Sequence, residues 1–193
     1  MTHNADDAWS MLRSRVSECT RCALHKTRKN TVFGQGVLKT NLVFVGEGPG
    51  ETEDEQGLAF VGKAGQLLTK ILDAGGISRD EAFITNVVKC RPPENRTPAQ
   101  EEMLACSEHL EAQLLLLRPK VVVCLGATAL SWLMKTSRSI SALRGQWFDW
   151  RGITLFPMFH PSYLLRDPSK AKGSPKDLTW QDVRALKKKL AEF

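Results

Sequence analysis

Five cysteines, a glycine loop crowded with carboxylates and a His-Pro-Ser triplet carry most of the chemistry this sequence can offer. Cys19-Thr-Arg-Cys22 is a Cys-x2-Cys pair, a tight turn that presents two sulfurs to one centre. Cys90 and Cys106 supply a third and a fourth if the fold brings a loop and a helix to the same place. Four such sulfurs suit zinc or an iron–sulfur cluster, and spacing alone does not separate the two; the competing account makes Cys90 and Cys106 plain core residues. Cys124 lies inside a valine-rich run and reads as a small buried hydrophobe. A thioredoxin-like redox role for Cys19 and Cys22 is disfavoured, because that motif follows a strand and here a helical segment precedes it. Gly46-Glu-Gly-Pro-Gly50 matches neither a P-loop nor a dinucleotide fingerprint. Glu47, Glu51, Glu53, Asp54 and Glu55 make the loop repel a triphosphate, and a solvated charged loop is the plain alternative.

Regular elements must hold these groups. Ala8, Met11, Leu12 and Val16 recur at helical spacing before Cys19. Asn41–Gly46 is a buried-strand pattern, and Lys63–Ala74 follows with Ala64, Leu67, Leu68, Ile71 and Leu72 on one helical face. The unit repeats as a strand over Phe83–Val88 and a helix over Pro98–Leu117, then as a strand over Lys120–Gly126 and a helix over Ala127–Lys135. Trp147–Trp150 and Ile153–Met158 read as a hairpin turning at Arg151-Gly152, and Leu178–Phe193 as a basic amphipathic helix. This alternation predicts an α/β fold of three layers, α/β/α, around a central, mostly parallel four-stranded sheet, with residues 1–193 forming one domain. Ligand sites of such folds gather beyond the carboxyl ends of the strands, which are here Glu47–Gly62, Lys89–Arg96, Gly126–Thr128 and Phe159–Tyr163.

Composition narrows the class. The chain has 193 residues, with 42% hydrophobic and 25% charged, which excludes a disordered, collagen-like or disulfide mini-scaffold protein. Lys+Arg 27 against Asp+Glu 21 leaves +6, compatible with a polyanionic partner without identifying one. An odd number of cysteines disfavours a disulfide framework. No apolar run reaches membrane-spanning length and no secretory signal is visible, so no membrane association and a cytoplasmic location are expected.

Five separated motifs agree in order: Gly46-Glu-Gly-Pro-Gly-x2-Glu-Asp54, Phe60-Val-Gly-x-Ala-Gly65, Thr85-Asn-Val-Val-Lys-Cys-Arg-Pro-Pro93, Asn95-Arg-Thr-Pro98 and His160-Pro-Ser162. With Cys19, Cys22, Cys90 and Cys106 they resemble the bacterial and archaeal uracil-DNA glycosylases of family four, which carry an iron–sulfur cluster. The resemblance runs from about Cys19 to Arg166. Two departures stand out: Ala59 where the family usually has Pro, which is expected to loosen the placement of Phe60, and Glu94, which enlarges the Pro-Pro loop. The resemblance implies a DNA-repair hydrolase that cleaves the N-glycosidic bond of deoxyuridine, releases uracil and leaves an abasic site, acting as a monomer on uracil-containing DNA. It implies a 4Fe-4S cluster held by Cys19, Cys22, Cys90 and Cys106 in a structural role.

It also implies residue roles that elementary chemistry can support. The target base must leave the stack. Phe60 can then stack on the pyrimidine, and the Asn86 amide can pair with uracil N3–H and O4 while mismatching the cytosine edge. Main-chain groups at Glu47 and Gly48 complete the pocket; related families place a water-activating Asp where this chain has Gly48. Bond cleavage leaves positive charge on the sugar and negative charge on uracil, so His160 is expected to hydrogen-bond uracil O2, and Glu53 either to face the sugar or to fill the space of a thymine methyl. Arg91, Arg96 and Arg166, with Lys89 and Arg144 nearby, are the expected phosphate contacts, and Tyr163 or Leu164 the expected wedge into the duplex. Core packing, turn and capping roles are the plain readings of Phe60, Asn86 and His160. The rival functions are an iron–sulfur redox or electron-transfer protein, a zinc-stapled nucleic-acid module, and a uracil-DNA-binding module without turnover.

Overall fold

Four short apolar runs bury every residue they contain or nearly so, which requires helices on both faces of the sheet they build. The computed structural model describes residues 3–167 and 169–193. In chain order the elements are α1 (His3–Ser17), β1 (Gln35–Gly36), β2 (Leu42–Gly46), α2 (Glu51–Gln56), α3 (Lys63–Ala74), β3 (Ala82–Asn86), α4 (Gln100–Leu117), β4 (Val121–Leu125), α5 (Ala127–Met134), α6 (Ile140–Leu143), β5 (Phe148–Trp150), β6 (Ile153–Met158), α7 (Pro161–Arg166) and α8 (Pro175–Leu190).

The sheet order is β1-β3-β2-β4-β6-β5. β3, β2, β4 and β6 are parallel, as the alternating pattern predicts, while β1 and β5 run antiparallel along the two edges. Six strands therefore stand where four were expected. The β5 edge matches the expected hairpin; β1 is two residues long and too short for any alternation to reveal it. Side chains divide by parity: Val43, Val45, Phe83, Val122, Cys124 and Leu155 point to one face. Phe44, Ile84, Val121, Val123, Phe156 and Met158 point to the other. On the first face lie Trp9, Leu12 and Val16 of α1, Leu110 and Leu114 of α4, and Leu130 of α5. Leu68 and Leu72 of α3 and Val183 and Leu186 of α8 cover the second. This is the three-layer arrangement, and each such fully buried side chain contributes about 1.5–3 kcal/mol.

Some boundaries shift for identifiable reasons. α4 begins at Gln100 because Glu102 reaches back to accept from the Ala99 N–H at 2.8 Å. α8 begins at Pro175, three residues before the expected start, with Ser174 accepting from the Asp177 N–H at 3.4 Å. The acidic stretch after Gly50 is not a loop but the short helix α2, closed by Gly57 in the left-handed conformation (φ 70). Among the described residues no helix is long and apolar enough to cross a membrane.

Candidate active site

β2 sits between β3 and β4, so the chain leaves it toward one side and later returns on the other, and a crevice opens beyond the carboxyl ends at that point. A cavity of about 640 Å³ occupies it, with Glu47, Phe60, Asn86, Thr128, His160 and Arg166 in its walls. All five sequence motifs thus supply side chains to one cavity: three of them do so from beyond the ends of different strands, the Phe60 motif from the turn before α3, and the motif from Asn95 to Pro98 adds Asn95, Arg96 and Thr97 to the rim.

Asn86 ends β3 in register with Gly46 of β2. A Cβ at Gly46 would lie 2.5 Å from Asn86 Oδ1 and 2.6 Å from Phe60 Cζ, so only glycine leaves the cavity floor open. The side-chain Oδ1 of Asn86 is buried without a hydrogen-bond partner. Its main-chain oxygen is engaged, accepting from Lys89 Nζ at 2.7 Å. A buried polar atom left unpaired inside a cavity is a receptor for something that enters it.

Phe60 lies at φ 53, a region disfavoured for a bulky side chain, and its neighbours hold it there. On one side the Glu53 carboxylate accepts from the Val61 and Gly62 N–H groups at 2.9 and 2.7 Å. On the other, Arg79 donates to Ala59 O at 2.9 Å, to Gly65 O at 3.3 Å and to Thr69 Oγ1 at 2.9 Å. The Phe60 ring then stands 5.8 Å from the His160 ring, tilted by 41°. Asp54 is likewise occupied with main chain, accepting from the Lys29 and Asn30 N–H groups. Glu47 is the carboxylate that spans the crevice, accepting from the Thr128 hydroxyl at the start of α5.

His160 is the N-cap of α7. Its Nδ1 accepts from the Ser162 N–H at 3.1 Å, with the Ser162 hydroxyl 2.7 Å away. A nitrogen that accepts a main-chain N–H carries no proton, so in the neutral ring Nε2 carries it and is the donor. Burial, reinforced by the nearby Arg166 charge, lowers the imidazole to about 4. A Cβ at Gly126 (φ 88) would approach His160 Cβ to 2.9 Å, which explains glycine at the β4–α5 junction.

Several expected contacts move. Arg96 and Arg166 line the cavity, but Arg96 is also paired with Glu102 at 2.7 and 2.8 Å. Arg91 lies outside the lining and bonds Asn95 and Glu51. Lys89 cannot touch phosphate: it is fully buried, and burial lowers its ammonium to about 8. Arg144 is committed to Asp182 and to Leu178 O. Leu164 is buried in the fold and cannot insert into a duplex; Tyr163 is half-exposed, packed against Phe159 and outside the cavity lining. Leu165, not foreseen from sequence, is half-exposed at the cavity, and Lys63 at the start of α3 also lines it. A short helix after the strand end was the missing signal for Leu165, since it fixes which of two consecutive leucines turns outward.

Cys19, Cys22, Cys90 and Cys106 converge on a second, smaller cleft between the end of α1, the turn after β3 and α4. Donors surround the sulfurs: Arg28 Nη1 lies 3.1 Å from Cys90 Sγ, the Lys89 N–H 3.3 Å from Cys106 Sγ and His109 Nε2 3.4 Å from Cys19 Sγ. Burial pushes the Cys90 thiol up to about 11 and raises that of Cys106, with Arg28 and Lys89 acting in the opposite sense. Cys124 lies apart in β4, pushed up to about 12 by burial alone, as a core hydrophobe should be.

The sequence pattern of the Uracil DNA glycosylase superfamily matches residues 33–184. The chain is 50% identical to the Type-4 uracil-DNA glycosylase of Thermotoga maritima over 86% of this chain and 88% of that one. It is 40% identical to the Type-4 uracil-DNA glycosylase of Saccharolobus solfataricus over 96% and 88% of the two chains. With the Pyrobaculum aerophilum protein of the same name the figures are 43%, 86% and 89%. A shared architecture, a cavity at the strand ends and this likeness over most of its length together place the chain in the uracil DNA glycosylase superfamily, within its type-4 family.

Proposed function

We propose that the crevice receives a uracil turned out of DNA and that the enzyme hydrolyses its bond to deoxyribose, leaving an abasic site. The unpartnered Oδ1 of Asn86 carries this reading. An acceptor there meets uracil N3–H, while the amide NH₂ meets O4; cytosine presents an acceptor and a donor at those positions and is repelled twice. Phe60 supplies the stacking face. The Nε2–H of neutral His160 points its proton to O2 as negative charge gathers on the departing base, without a proton having to move first. Glu47, fixed by Thr128, is the carboxylate best placed to stabilise the sugar cation and to orient water. Glu53 acts on Phe60 through the loop N–H groups, as a positioning residue. Arg166, Arg96 and Lys63 line the approach for phosphates, and Leu165 takes the wedge role.

The four converging thiols suit an iron–sulfur cluster. All four cysteines line one cleft, with the Arg28 guanidinium, the Lys89 N–H and the His109 ring set against their sulfurs, a donor set that suits the thiolate ligands of a 4Fe-4S centre. Cys19, Cys22, Cys90 and Cys106 would hold such a centre, which would cross-link the end of α1, the turn after β3 and α4; none of the four lines the base cavity.

The test is incubation with an oligonucleotide containing one uracil, and with its thymine counterpart, followed by alkaline cleavage of abasic sites. Strand scission at uracil alone is expected, and Asn86→Ala is expected to lower kcat/KM by about 100-fold or more. No scission, or an Asn86→Ala variant as active as the parent, refutes the assignment.

A further inference from the structure

Lys89 is among the largest fully buried side chains of the molecule. Its ammonium donates to Thr85 Oγ1, to the main-chain oxygen of Asn86 and to Gln113 Oε1, each at 2.7 Å. All three protons are used and every acceptor is neutral. An ammonium removed from water with only neutral partners is strongly unfavourable and demands a nearby negative charge. Among the described residues Lys89 has no carboxylate partner; it lines the cleft shared by Cys19, Cys22, Cys90 and Cys106. Its own N–H donates to Cys106 Sγ at 3.3 Å. Arg28 also approaches the sulfurs, but as a part-buried side chain, whereas Lys89 is fully buried, with its main-chain N–H at Cys106 and its ammonium at Thr85 and Asn86 of β3.

We propose that Lys89 is the internal counter-cation of the four-cysteine centre and the positioning residue that ties this centre to the Asn86 amide in the base cavity. The proposal rests on reading Cys19, Cys22, Cys90 and Cys106 as ligands. Four thiolates around iron and sulfide carry net negative charge, which is what a buried ammonium lacking a carboxylate requires. From that fixed point the side chain folds back over three residues and grips Asn86 by its carbonyl, so the amide beyond it is aimed by a charge anchored to the centre. Gln113 of α4 completes the cradle, itself held by donation to Phe33 O at 2.7 Å.

The experiment uses the iron-loaded full chain. Iron and sulfide content of the parent protein is measured first; their absence removes the ligand reading and this proposal with it, whereas their presence leaves Lys89 to be judged alone. Lys89→Met is then compared with Leu114→Ala, a packing loss in the same core that changes no charge. Iron release to a chelator is followed by the visible absorbance, and free-uracil affinity is measured on the iron-loaded fraction. Lys89→Met is expected to release iron about 10- to 100-fold faster than the parent, and faster than Leu114→Ala at equal distance below Tm, and to bind uracil more weakly. Release no faster than that of Leu114→Ala overturns the counter-cation role; uracil affinity equal to the parent's overturns the tie to Asn86. If Lys89→Met does not fold, Gln113→Glu gives the ammonium a competing carboxylate, and the same acceleration is expected; parent-like release from that variant overturns the proposal.

Discussion

His160 shows how one side chain combines several constraints. Its place after β6 and before Pro161 was legible in the sequence, because a polar residue at a strand end of an α/β fold faces the ligand side. Its tautomer was not, since that depends on the Ser162 N–H meeting Nδ1 once α7 forms. With the folded imidazole at about 4, against about 6.5 when unfolded, the unfolded chain takes up the proton first as pH falls. Stability from this residue is therefore intact above about pH 6.5 and declines between there and about 4. Thermal melts of the parent should lose Tm across that window more steeply than those of His160→Gln. The rate of base release should show no break near pH 6.5, and His160→Gln should lower kcat by about 100-fold. Lys89 was misread for the opposite reason: lysine is so rarely fully buried that a position past a strand end suggests a phosphate contact, and only the packing of Thr85 and Gln113 around it reveals otherwise.

At the scale of elements, the loop from Ala59 to Gly62 owes its shape to two neighbours, Arg79 outside the cavity lining and Glu53 within it. Ala59 stands where proline would have restricted the chain, and the Arg79 guanidinium, bonded to Ala59 O, supplies the restraint instead. Phe60 stays at positive φ because Glu53 closes the loop from the other side. Arg79→Met should therefore raise KM for uracil-DNA by about tenfold with little change in kcat, as expected when binding rather than the chemical step is loosened; steady-state kinetics on a short oligonucleotide measure the split. β2 to β6 and α3, α4 and α5 were legible in the sequence because their apolar positions are continuous or recur on one face. α2, α7 and β1 were not, being six residues or fewer, too short to display a period.

For the whole molecule, the net charge of +6 becomes meaningful only once the cations are sorted by task. Arg144 and Lys89 serve the interior, Arg91 is paired on the surface, and Arg166 and Lys63 remain at the mouth of the cavity. Arg166→Gln should weaken binding to uracil-free and uracil-containing duplex alike and reduce the slope of log K against log salt by about 1, measured by fluorescence anisotropy at several salt concentrations. Sequence could place these residues near the strand ends, but not distinguish them, because the partner of Arg144 is Asp182, contributed by the last helix from far along the chain.

The lone acceptor of Asn86 has a consequence beyond recognition. Folding hides this oxygen from water while the polypeptide itself offers no donor in return, a local sacrifice of about 1–3 kcal/mol. A base that enters cancels the deficit as it binds, so part of its grip comes from relieving a discomfort built in during folding. Selection for heat resistance alone would erase that oxygen; its persistence marks where this scaffold gives up robustness to stay receptive.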